Sequence, residues 1–163
     1  KSNPNGRKVY FHVVGWEDDR GTTSNGYLTV EQMAKKYGIE KYIINHGKLF
    51  GDKLDEVFNQ CVFAIGSLGR HRSGITTIKT LKNREYAARG ISFIYSETDS
   101  DFDNQTYVIK APANDTPIDV SEIVRYIDNC KVEPSYIRQT VAHLSWKHQM
   151  QLVLEKVLNK SIH

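Results

Sequence analysis

Val62-Phe63-Ala64-Ile65-Gly66, the polar stretch Ser67 to Lys79, the run Thr80 to Arg89 and then Ser92-Phe93-Ile94-Tyr95 read as strand, loop, helix and strand. Both apolar runs are short and rich in β-branched or aromatic side chains, which suits buried strands. Gly66 ends the first, and Gly90 stops the helix. The same alternation continues on either side. Upstream, Val9-Tyr10-Phe11-His12-Val13-Val14-Gly15 reads as a buried strand, and Gly21 to Gly26 as a polar loop. Thr29 can cap a helix whose Val30, Met33, Ala34 and Tyr37 recur at helical spacing, with Gly38 closing it. Tyr42-Ile43-Ile44 is a second strand ending at Asn45-His46-Gly47, and a helix with Leu54, Val57 and Phe58 on one face follows. Downstream come a strand at Tyr107-Val108-Ile109 and a helix capped by Asp119 with Val120, Ile123, Val124 and Ile127 on one stripe. A last helix carries Trp146, Met150, Val153, Leu154, Val157 and Leu158.

Strands alternating with helices predict parallel βαβ units, and right-handed crossovers place helices on both faces of the sheet. The expected class is α/β, a Rossmann-like three-layer α/β/α arrangement with a parallel sheet, as one domain over residues 1–163. Ligands of such sheets bind at the carboxyl ends of the strands. The function is therefore sought in the loops 15–28, 45–51, 66–80 and 96–104.

The chain of 163 residues is 39% hydrophobic and 25% charged, which excludes collagenous, disordered and disulfide-framed classes. No run of 18 apolar residues suggests a membrane span, and Lys1 to Arg7 lacks the apolar centre of a signal peptide. Cys61 and Cys130 each end an apolar run, as buried free thiols of a reducing compartment do. The net charge of +3 is too small by itself to mark a nucleic-acid binder.

The positive charge is concentrated instead. Gly66 to Lys82 holds three glycines, several hydroxyls and four fixed cations, and it feeds a helix N-terminus. The first turn of a helix offers unpaired N–H groups and a partial positive charge, so cations placed there oppose the dipole until an anion relieves them. Glycines that admit close backbone approach complete a phosphate or diphosphate site. His71 sits within this loop. Glu85, one turn into the helix, either pairs with Lys82 or Arg89 or faces a sugar diol, and spacing leaves both open. His143 and His148 are five apart, the wrong spacing for two ligands on one helical face, so no metal site is expected. Asp18-Asp19 and the series Glu97, Asp99, Asp101, Asp103 lack the glycine and terminal glutamate of a calcium loop and read as solvated loops. Ser67 is not in a Gly-x-Ser-x-Gly elbow, which argues against a serine hydrolase.

The segment Thr80-Leu81-Lys82-Asn83-Arg84-Glu85-Tyr86-Ala87-Ala88-Arg89-Gly90-Ile91-Ser92-Phe93-Ile94 resembles the donor-binding signature of retaining GT-B glycosyltransferases of the group 1, family 4-like type. Val13-Val14-Gly15, the stretch from Ile44 to Phe63, and Ser145-Trp146 with its helix resemble other parts of that family in the same order. The resemblance implies the C-terminal half of a GT-B fold, the domain that binds a nucleotide-sugar. It implies that Glu85 holds ribose hydroxyls and that Thr80, Leu81 and Lys82 present N–H groups and an ammonium to the diphosphate. Gly47, Lys48 and Leu49, beside His46, would flank the base, and Gly15 would let the first strand approach the ligand. On electrostatic grounds Arg72 or Lys79 adds charge for the leaving diphosphate.

Thr77 stands where the family often carries a first glutamate contacting the transferred sugar, which leaves donor sugar and catalytic competence open, and no catalytic residue is assigned. Ser92 replaces a usual proline. The family's first strand and its acceptor-binding domain have no counterpart here, so the resemblance implies a fragment of a longer transferase. That parent would move sugar to an acceptor glycan or lipid-linked sugar in polysaccharide or glycoconjugate synthesis. It would act in the cytoplasm or loosely at a membrane, without metal, cofactor or nucleic-acid partner. Two alternatives stand beside it: a related sugar-nucleotide epimerase, and a flavodoxin-like or receiver-like binding module without catalysis. No strand ends in the aspartate that a receiver requires.

Overall fold

The computed structural model describes residues 6–15 and 28–160, with side chains as far as 158. It is mixed α/β, with parallel strands in two small sheets, and it divides into two compact units, Lys1–Cys61 and Val62–His163. The expected acidic pair Asp18-Asp19 and the loop Gly21 to Gly26 lie outside the described residues.

In the first unit, β1 (Phe11–Val13) pairs in parallel with β2 (Ile43–Asn45), His12 opposite Ile44. Parallel neighbours need a crossover, and α1 (Val30–Tyr37) lies within it. Thr29 caps α1 as expected, in a reciprocal pair. Its hydroxyl accepts the Gln32 N–H at 3.2 Å, and the Gln32 side chain accepts the Thr29 N–H at 3.0 Å. Gly38 closes the helix. α2 (Asp52–Gln60) follows β2 and buries Val57. Only Ala34 and Val57 are buried among the unit's described residues. The expectation of a buried first strand is corrected here: Val9, Tyr10 and Phe11 are each more than 40% exposed. β1 pairs only with β2 among the described strands, and apolar character alone does not supply the covering layer.

The second unit is a three-stranded parallel sheet in the order β3 (Ala64–Ile65), β4 (Phe93–Tyr95), β5 (Val108–Lys110). β4 is central and wholly buried. Its side chains alternate between two cores, as the two-residue period of a strand requires. Phe93 and Tyr95 face Phe102, Tyr107 and Ile78, together with Ala87 of α3 (Leu81–Arg89) and Ile137 of α5 (Pro134–Thr140). Ile94 faces Ala111 and Ile123 of α4 (Val120–Asn129). Helices thus cover both faces of this sheet. The Asp119 cap of α4 is as expected, its carboxylate accepting the Ser121 N–H at 2.8 Å. The final helix, α6 (Trp146–Lys160), forms where the spacing predicts it, with Trp146, Leu154 and Leu158 each at least 60% exposed. Cys61 and Cys130 are free, as expected, but only half-buried, and each thiol donates to an oxygen one helical turn back. No described helix is long and apolar enough to cross a membrane.

Two glycines let these layers close. A Cβ on Gly66 would stand 2.6 Å from Asn83 Oδ1 and 2.8 Å from the Ile94 carbonyl oxygen. This absence of a side chain brings α3 down against the end of β3, where the Ser67 N–H donates to Asn83 Oδ1 at 3.1 Å. Gly90 has a φ of 78° as the C-cap of α3, and a Cβ there would meet the Pro134 carbonyl oxygen at 2.7 Å.

Gly66→Ala is expected to lower unfolding stability by about 1–3 kcal/mol, because backbone and a fully buried Asn83 must shift. Gly38→Ala, left-handed at a φ of 64° but with no atom within 4 Å, should cost only the backbone term of about 1 kcal/mol. Denaturant midpoints of the two variants check the order.

Candidate functional site

The loop after β3 is a basic turn laid over a buried acid. Glu97, just past the end of β4, is 1% exposed. Its Oε1 accepts the His71 N–H at 2.9 Å, and its Oε2 accepts the Ser96 hydroxyl at 2.6 Å. Burial works to raise this carboxyl, but the Ser96 hydroxyl and the backbone N–H groups around it outweigh burial and hold Glu97 below the usual range. The carboxylate therefore serves as N-terminal cap to a 3-10 turn, Arg70–Ser73.

The cations of the loop fall into two groups. Arg72 Nε donates to Asp115 Oδ1 at 2.6 Å, and His71 Nε2 lies 3.1 Å from the same oxygen. Together Arg72 and His71 hold the Asp115 carboxyl below its usual range. Lys79 Nζ lies 2.7 Å from Asp101 Oδ1 and 3.5 Å from Asp99 Oδ1. Arg84 forks onto both oxygens of Asp99 at 3.3 Å and also donates to Asp101. Thus Arg72 and Lys79, expected to serve a leaving diphosphate, are each engaged by carboxylates. Arg70 and Lys82 are different: among the described residues neither side chain forms an ion pair or hydrogen bond. Partial burial first, and the Arg70 guanidinium second, pull the Lys82 ammonium below the usual lysine range.

These two cations belong to the surroundings of an open helix start. Thr80 is the N-cap of α3 in extended conformation, yet its side chain makes no capping bond. Its Oγ1 is buried without a partner, as is Nδ2 of Asn83, a residue with 0% exposure. The first-turn N–H groups have no partners within the helix. Leu81 is 80% exposed at the same turn. Two uncancelled cations, orphan polar atoms and free N–H groups make a locus that favours an oxyanion. Glu85 lies further along α3, and its Oε1 accepts both Arg89 Nε at 3.2 Å and Arg89 Nη2 at 3.1 Å, the pairing that spacing allowed.

The remaining expected residues lie in the first unit. The Gly15 N–H donates to the Gly47 carbonyl at 3.0 Å, and the Gly47 N–H to Asn45 Oδ1 at 3.0 Å. Next to them His12 Nδ1 and His46 Nε2 are 3.0 Å apart in nearly parallel rings. Lys48 Nζ lies over the Phe50 ring, 5.2 Å from its centroid, and Leu49 is partly buried. Gly15, Gly47, Lys48 and Leu49 therefore gather at the carboxyl ends of β1 and β2.

Comparison of the chain with models of protein families, with curated proteins and with solved structures finds no match. Among the described residues no group of three or more His, Cys, Asp or Glu is placed to hold a metal ion.

One expectation is corrected. Of the series Glu97, Asp99, Asp101, Asp103, Glu97 and Asp99 are not solvated but among the most buried side chains of the described residues, Asp101 is partly buried, and Asp103 stays exposed. Lys110 donates to Asp103 and, at 2.6 Å, to the Glu97 carbonyl, so cations from three segments fold the loop inward. The signal was present as four acids at alternate positions directly after a strand, facing Lys79, Arg84 and Lys110. Arg70 and Asn83 were also missed as site residues, because only the folded loop shows which cation stays uncancelled.

Burial raises Asp101 and Asp103, but Lys79 with Arg84, and Lys110 with Tyr95, outweigh it, and both carboxyls end below the usual range. A carboxyl depressed in the fold adds stability above its unfolded value of about 4, and that stability is lost as pH falls through the depressed value. The second unit should therefore unfold more easily in urea from about pH 4 downward. Asp101→Asn should lower stability at neutral pH and flatten the pH slope, as urea midpoints from pH 7 to pH 2 will check.

Proposed function

We propose that the chain binds the diphosphate of a nucleotide-sugar at the start of α3, as the donor domain of a GT-B-type glycosyltransferase with a Rossmann-like fold. The observation that carries this reading is the uncancelled pair Arg70 and Lys82 beside a helix N-terminus whose cap residue makes no capping bond. Every other cation of the loop and first turn has a carboxylate partner. An arriving diphosphate would relieve the repulsion between Arg70 and Lys82 and satisfy the first-turn N–H groups without reorganising the loop. Such preformed donors also stabilise the charge that grows on a departing nucleoside diphosphate. The resemblance of the 80–94 segment to the donor signature supports the same assignment and gives Glu85 to the ribose. To reach a diol, the Glu85 carboxylate would exchange or share its Arg89 contact, an exposed helical pair worth only about 0.3–0.5 kcal/mol. Hexosyl transfer to an acceptor hydroxyl in the cytoplasm, or loosely at a membrane, is the activity this reading assigns to the full-length parent, the fragment alone being inactive.

Calorimetric titration with UDP, GDP and ADP tests it. The expected result is a preference for one nucleotide that persists as salt is raised, with affinity at least about tenfold lower in Lys82→Ala. Glu85→Ala should weaken nucleoside diphosphates while leaving inorganic pyrophosphate unaffected. Equal binding of all three nucleotides that falls steeply with salt would instead describe a general polyanion patch.

A further inference from the structure

We infer that Glu97 is a positioning residue for the anion site, holding the Arg70–Ser73 turn by its backbone so that the Arg70 side chain stays available beside Lys82. The inference rests on the reading that this site takes a diphosphate. Its basis is the contrast in how the loop's cations are held. Arg72, Lys79 and Arg84 are fixed through their charged ends, by Asp115, Asp99 and Asp101, which consumes the charge. Arg70 instead opens a turn that is fixed through the backbone, by the bond from the His71 N–H to a carboxylate that the Arg70 guanidinium does not contact.

The groups around Glu97 account for this. Its carboxylate receives the Ser96 hydroxyl and the His71 N–H, both neutral donors. His71 Nδ1 lies 3.6 Å away, and the far side of that ring faces Asp115. Lys110 reaches the Glu97 main-chain carbonyl rather than the carboxylate. Among the described residues no guanidinium or ammonium lies within ion-pair range of the Glu97 carboxylate. A buried carboxylate that spends its lone pairs on a hydroxyl and a turn's N–H orders the turn and leaves its cations to a ligand. A glutamine keeps one acceptor oxygen but loses the charge and turns the other position into a donor, so the Ser96 hydroxyl must reverse and the turn is held less firmly.

The test is a calorimetric titration of the full chain with inorganic pyrophosphate at fixed ionic strength. The proteins are wild type, Arg70→Ala, Glu97→Gln, the double variant, and Arg70→Ala/Lys82→Ala. Arg70→Ala should weaken binding about tenfold or more. Glu97→Gln should show a comparable loss, and the double variant no further loss, since both changes remove the same guanidinium contact. The ratio of wild-type to Glu97→Gln affinity, which cancels the ligand's own titration, should shrink as pH falls through the Glu97 carboxyl. Unchanged affinity in Glu97→Gln, or losses that add in the double variant, would overturn the role of Glu97 while leaving the anion site standing. Wild-type binding no tighter than that of Arg70→Ala/Lys82→Ala would overturn both. If Glu97→Gln does not fold, Ser96→Ala removes one donor to the same carboxylate. It should then show a severalfold loss that vanishes in the Arg70→Ala background, and a full wild-type affinity would overturn the inference.

Discussion

The architecture of the second unit at the carboxyl end of its sheet hangs on one guanidinium. Arg84, in the first half of α3, donates to the Thr80 carbonyl behind it and to Asp99 and Asp101 across from it, and its guanidinium lies 5.5 Å from the Phe102 ring centroid. It therefore ties the start of the helix, the loop after β4 and the aromatic core into one body. Asp99 is 0% exposed, so removing Arg84 leaves its buried carboxylate with Lys79, at 3.5 Å, as the remaining charge partner among the described residues. With Arg84 in place the loop folds inward, and the backbone pairing of Thr77 with Thr98 fastens the approach to α3 beside it.

That constraint sorts the positive charge. A loop that is uniformly basic in sequence becomes, once folded, a set of cations fixed by acids and a remainder with none. The acids responsible come from outside the loop, from the 97–103 segment and from Asp115. The polarity of the open helix start follows from subtraction: what the carboxylates take away defines what is left for an anion. Nearness alone would have favoured Lys79, adjacent to the cap residue, yet Asp101 claims it.

Much of this fold was legible because it rests on local rules. The order of strands and helices follows from apolar periodicity, the caps Thr29 and Asp119 from hydroxyl and carboxylate chemistry, and the stops at Gly38 and Gly90 from backbone conformation. What was not legible depends on partners distant in sequence. Val9-Tyr10-Phe11 has the composition of a covered strand and lies exposed, because coverage is a property of neighbours. Glu97 and Asp99 have the composition of a wet loop and are buried, because Arg84 and backbone donors compensate them. At the site, the loop and helix start were visible as chemistry, but the distinction between Arg70 and Arg72 required Asp115, 43 residues away from Arg72.

The placement of the aromatic rings gives the molecule an unusual optical signature. Tyr95 and Tyr107 are fully enclosed and anchored, the one donating its hydroxyl to Asp103 at 2.6 Å, the other 2.7 Å from Thr140 Oγ1. Trp146, by contrast, is 79% exposed at the start of α6. Emission from that indole reports solvent and the last helix, and is nearly blind to the core. Ordered packing around β4 is written instead in the ultraviolet circular dichroism of the tyrosines. With Trp16 replaced, so that Trp146 is the one indole, the two spectral windows separate the behaviour of a surface helix from that of the sheet.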